Sequence, residues 1–179
     1  TLASKIKVNG NEYLYFGGTA YLGIPQSDEF LELYLTGVKK FGLNNGTSRS
    51  NNVQLDIYNE VEDYASQKFG SQAALITSSG YLAAQMVVQN LASIGQLRYA
   101  PATHPALWLN EEPKVSGSFV DWSVALVKEI NASEAQNWVI VSNSMNNLYP
   151  EIYDFSFISQ LNKNVLLIVD DSHGIGINN

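Results

Sequence analysis

Four short stretches hold side chains whose types and spacing could do chemistry. The first is "IVDDSHGIG" near the end of the chain, where an apolar run meets Asp170, Asp171, Ser172 and His173. A carboxylate closing a buried strand is costly to desolvate unless a cation or a donor meets it. A protonated ring nitrogen of a bound cofactor would serve, and so would a structural arginine or the N–H groups of the next loop. A metal is a poor fit, because no further His or Cys cluster supports it. The second stretch is "TSSGYLAAQ", with Ser78, Ser79 and Gly80 ahead of a helical pattern that begins at Tyr81. Free N–H groups and the positive dipole end at a helix start suit a phosphate, and glycine lets a ligand approach the backbone. The plainer reading is a turn with a serine N-cap. The third is His104 in "ATHPALW" and the fourth is Arg49 in "NNGTSRSNN". By default these are a surface histidine and a solvated loop.

Such residues need elements to hold them. "WVIVSN" (138–143) and "VLLIVD" (165–170) are continuous apolar runs, the mark of strands buried on both faces of a parallel sheet. "AALIT" (73–77) reads as a further short buried strand and "LRYA" (97–100) as a weaker one. Helical spacing covers 28–41, ending at Gly42, then the stretch from Leu55 to Phe69, and the run from Tyr81 onward. A short helix is expected near His104 and another over 123–130, and "FSFISQLN" fits a crossover helix. Residues 5–16 read as a hairpin in which Ile6 and Val8 face Tyr13 and Tyr15 across an Asn-Gly turn. The alternation predicts an α/β fold: a doubly wound, mostly parallel sheet with helices on both faces, preceded by a short hairpin and helix. Ligands of such sheets bind outside the carboxyl ends of the strands. Three of the four stretches fall there.

The 179 residues suffice for one ordinary domain or part of a larger one, and 45% apolar against 15% charged residues reads as globular. A net charge of −7 argues against a nucleic-acid footprint, so an anionic ligand must be held by local donors. The absence of cysteine excludes disulfides and thiolate metal sites. No run is long enough for a membrane span and the start lacks a signal-peptide core, so a soluble cytoplasmic protein is expected.

Taken in order, "AYLGI", "NNGTSRSNN", "TSSGYLAAQ", "ATHPAL" and "IVDDSHGIG" resemble the pyridoxal-phosphate enzymes of aminotransferase fold type I, nearest the α-oxoamine synthases. The resemblance implies that Asp170 keeps the pyridine nitrogen protonated, that His173 sits beside the phenolic oxygen and that His104 stacks on the ring. Ser79, Gly80 and Tyr81 would hold the phosphate, and Asn147 is the nearest equivalent of a serine that faces the cofactor. Residues 1–45 would be an N-terminal segment and 46–179 the first part of the large, cofactor-binding domain. The implied activity is condensation of an amino acid with an acyl-CoA with loss of CO2, or alternatively amino transfer, in a homodimer whose Arg49 loop reaches toward the partner's site. Family positions that usually carry Asn, His and an acid hold Ala20, Tyr58 and Asn143 here. These departures touch the acyl-CoA chemistry more than the cofactor. The family's Schiff-base lysine lies beyond the Asp-x-x-His strand and has no counterpart in this sequence. The chain is therefore expected to be an inactive piece of a longer enzyme, with a non-catalytic homologue as the rival reading.

Overall fold

The computed structural model describes residues 4–19 and 21–176. The chain divides into two compact units, Thr1–Ala73 and Ala74–Asn179.

The first unit opens with the hairpin β1 (Lys5–Val8) and β2 (Asn11–Leu14). Asn9 and Gly10 both have positive φ, as a two-residue type I′ turn requires. That turn fixes the register. Ile6 lies opposite Tyr13 as expected, but Val8 lies opposite Asn11, and the Tyr15 N–H instead reaches the Ser4 carbonyl at 2.8 Å. Helix α1 (Asp28–Phe41) starts on Ser27, whose Oγ accepts the Phe30 N–H, and stops at Gly42, whose φ of 81° few side chains would tolerate. Acidic Asp28 and Glu29 occupy its first turn and Lys39 and Lys40 its last, each sign suited to its end of the dipole. Helix α2 (Ile57–Lys68) is followed by Phe69 and Gly70. The expected family position Ala20 lies outside the described residues.

The second unit is a three-stranded parallel sheet in the order β3 (Gln96–Tyr99), β4 (Asn137–Asn143), β5 (Asn164–Asp170). Side chains of β4 alternate between two cores. Trp138 and Ile140 face helix α4 (Phe119–Ala132), where Phe119 stacks on Tyr153 with ring centroids 4.0 Å apart. Val139 and Val141 face helix α3 (Gly80–Leu91) through Val88, with Leu107 and Ile168 alongside. Helices on both faces of a parallel sheet are the doubly wound arrangement the sequence predicts.

Two elements differ from expectation. Residues 73–77 form no strand, and Leu75 is 68% exposed. The run is apolar enough for a strand, but it joins neither sheet of the described residues. The crossover between β4 and β5 is a 3₁₀ segment, Phe155–Gln160, not an α-helix. Residues 144–154 are spent on an excursion closed by a bridge between Met145 and Ile152, which leaves few residues for the return.

Candidate active site

The carboxyl edge of the sheet carries the candidate residues. In the β4–β5 register Asn143 lies beside Asp170. By strand alternation both share the face of Val139, Val141, Leu166 and Ile168, which is the α3 face. Asp170 is half-buried, and its Oδ1 accepts the Ser172 N–H at 2.9 Å. Among the described residues no arginine or lysine pairs with this carboxylate. Of the answers open to the sequence, a backbone donor from the next loop therefore meets one oxygen. The chain then turns tightly: the Asp171 carbonyl accepts the Gly174 and Ile175 N–H groups. A Cβ on Gly174 would overlap the Asp171 carboxylate and the Ser144 hydroxyl, so glycine is what lets this turn close on the end of β4. His173 rides on the turn, half-buried, while Asp171 is exposed.

His104 sits on the loop after β3. Its Nδ1 accepts the Ala106 N–H at 3.2 Å, so the imidazole caps the 3₁₀ turn Pro105–Leu107 and the neutral ring carries its proton on Nε2. The loop is held on several sides. The buried Asn143 side chain accepts the His104 N–H at 3.1 Å and donates to the Ala102 carbonyl at 2.8 Å. From α3, Gln85 donates to the Ala106 carbonyl at 2.7 Å and the Trp108 carbonyl at 3.1 Å. Trp108 donates its indole N–H to Thr103, and the Tyr99 hydroxyl accepts the Leu109 N–H at 3.0 Å. Burial raises the Tyr99 pKa, and that hydrogen bond partly opposes the rise.

Helix α3 leads through Ala92–Ile94 and Gly95 into the start of β3, so it runs antiparallel to the strands and its N-terminus lies toward their carboxyl edge. Gln85 reaching the His104 loop agrees with this. Ser79 caps the helix. Its Oγ accepts the Leu82 N–H at 3.2 Å and its carbonyl accepts the Ala83 N–H at 3.1 Å. The Gly80 and Tyr81 N–H groups have no intrahelical acceptor, and nothing lies within 4 Å of where a Gly80 Cβ would stand.

One edge thus collects Asp170, the backbone of His104 and the turn bearing His173, with Ser79–Tyr81 at the helix end above it. Asn147 lies exposed on the 144–154 excursion. Its neighbour Asn146 is buried, with Oδ1 accepting the Leu148 N–H and Nδ2 reaching Glu151. Sequence reasoning passed over Gln85 and took Asn143 only as a departure. The available signal was an amide at the end of a buried, largely apolar strand, since a buried amide must find partners. Arg49 belongs to the first unit. It makes a two-pronged pair with Glu62 at 2.7 and 3.0 Å, and its guanidinium lies 4.7 Å from the Tyr58 ring centroid. The hydrogen bond to Glu62 is the main cause raising its pKa.

A helix start with N–H groups that lack intrahelical acceptors and a strand-end carboxylate beside the His104 loop are chemically compatible with a phosphorylated pyridine such as pyridoxal phosphate. Sequence comparison points the same way. The chain is 25% identical over 183 residues to 8-amino-7-oxononanoate synthase of Geotalea daltonii, covering 98% of this chain and 47% of that protein. It is 23% identical to the synthase of the same name from Buchnera aphidicola subsp. Baizongia pistaciae, covering 96% and 46%. It is 24% identical to that of Lysinibacillus sphaericus, covering 97% and 46%. The resemblance is to the fold type I pyridoxal-phosphate enzymes, nearest the α-oxoamine synthases. No family model matches the chain. The chain spans about half the length of these α-oxoamine synthase relatives. In the second unit, the lysines Lys114, Lys128 and Lys163 all lie off the three stretches shared with the family. No helix among the described residues is long and apolar enough to cross a membrane.

Proposed function

We propose that the complete protein is a pyridoxal-phosphate-dependent transferase of the α-oxoamine synthase type, joining an amino acid to an acyl-CoA with release of CO2. The observation that carries this reading is the single sheet edge that holds Asp170, His104, His173 and the start of α3. Bound pyridoxal phosphate supplies an electron sink for the α-carbon of an amino acid. In this reading the Asp170 carboxylate takes the hydrogen bond from the pyridine nitrogen. Gly80 and Tyr81 donate their N–H groups to the phosphate beside the Ser79 cap. In the same reading the His104 ring would stack on the pyridine, His173 would sit beside its phenolic oxygen, and Asn147 would stand for the serine that faces the cofactor. The protein works as a homodimer in the cytoplasm. In this reading the Schiff-base lysine of the complete protein follows the Asp170–His173 stretch.

Amino transfer to a keto acid is the second reading. It draws on Ala20 and Tyr58, which replace family groups, and Tyr58 is engaged under Arg49. Full-length protein supplied with glycine, alanine or serine and a panel of acyl-CoAs separates the two. Free CoA and CO2 released in step support condensation. Amino transfer without CoA release moves the protein to the aminotransferases. Absence of both reactions, with no visible cofactor band, leaves a non-catalytic homologue.

A further inference from the structure

We infer that Asn143 and Gln85 are positioning residues: two amide side chains, one from the sheet and one from α3, clamp the loop that presents His104. The consequence for the site rests on the cofactor reading above, but the clamp itself does not. Asn143 is 2% exposed and uses both ends of its amide, donating to Ala102 at 2.8 Å and accepting from His104 at 3.1 Å. Aspartate has the same shape but no donor, and its charge would face the Ala102 carbonyl. Ala102 is also the residue that most needs holding. Its φ is 55°, a left-handed conformation that a Cβ disfavours. On the other side Gln85 Nε2 serves two carbonyls, Ala106 and Trp108, while its own Oε1 accepts from Gln89 at 3.2 Å. Glutamate there would set a carboxylate against both carbonyls. The His104 ring is fixed by the Ala106 N–H, which lies between the two clamps, so the clamps set where the loop presents it. An acid at either position would leave the fold's apolar cores untouched and shift the loop.

The test uses the full-length protein with Asn143→Asp, Gln85→Glu, His104→Ala and the double variant N143D/H104A. Without cofactor, amide exchange over 102–109 should quicken about tenfold or more in each acid variant, the scale of a lost buried hydrogen bond, while exchange in β4 and β5 stays slow. With pyridoxal phosphate, both acid variants should change the visible circular dichroism of the bound cofactor and weaken its binding. The double variant should lose no more affinity than His104→Ala alone. Unchanged exchange over 102–109 in both acid variants overturns the clamp, whatever the cofactor does. Additive losses in the double variant overturn its link to His104. If Asn143→Asp does not fold, Gln85→Glu, on a half-buried helix position, decides the clamp alone. A wild-type protein with no cofactor signal removes the proposed function, and the exchange measurement still decides the clamp.

Discussion

The two units of this chain hold their polar groups in opposite ways. In Ala74–Asn179 the strand β4 is buried from Trp138 to Asn143, with α3 and α4 covering its two faces. Asn143 and Asp170 are then simply the last rungs of a ladder whose backbone is already fixed. In Thr1–Ala73 no described residue is buried. Arg49 lies there between the Glu62 carboxylate and the Tyr58 ring, and α1 leaves Leu33 66% exposed. A site built on a buried sheet inherits the rigidity of its core, whereas a side-chain chelate is only as firm as its weakest member.

The contrast should be widest in turnover. Asp170→Asn in the full-length enzyme should lower kcat by about 100-fold or more, the scale of losing a preorganised charge partner. Asp171→Asn, one residue on and exposed, should change it far less; equal losses would mean that the strand end does not select the functional carboxylate. In stability, Ile140→Ala removes a side chain with no exposure and should cost about 2–5 kcal/mol in denaturant unfolding. Leu33→Ala in α1 should stay within about 0.5 kcal/mol. A Leu33 loss as large as that of Ile140 would mean that something covers the α1 stripe in solution. Next, Glu62→Gln should free the Arg49 loop and raise the rate of proteolytic nicking over 43–52, with cleavage after 74 unchanged.

The smallest effects concern pH. Tyr99 is raised chiefly by burial, so the fold favours the neutral phenol. That stabilisation is complete below the ordinary tyrosine value of about 10 and is lost as pH rises through the folded value. Asp154 is lowered, first by the Ser156 N–H and then by its hydroxyl, so its contribution is present above the ordinary carboxylate range and is lost as pH falls through the folded value. Asp154→Asn should flatten the acid arm of a stability–pH profile slightly, and Tyr99→Phe the alkaline arm.

Much of this was legible in the residues. Apolar runs of strand length gave β4 and β5, because a strand buried on both faces admits little else. Ser27 and Gly42 marked the ends of α1, and Asn9-Gly10 set the hairpin, because caps and two-residue turns are local chemistry. The stretches around Ser79, His104 and Asp170 were readable as candidates from their places at element ends. Other features depended on partners far along the chain. Residues 73–77 have strand composition but join neither sheet of the described residues, and the β4–β5 return is a 3₁₀ segment, not an α-helix. Asn143 looked like a substitution of an acid until its amide was seen spanning Ala102 and His104, some forty residues away. Hydrogen bonds of that reach have no signature in local spacing. They exist only once the sheet has brought the end of β4 against the loop after β3, which is why the tertiary structure alone decided what positions His104.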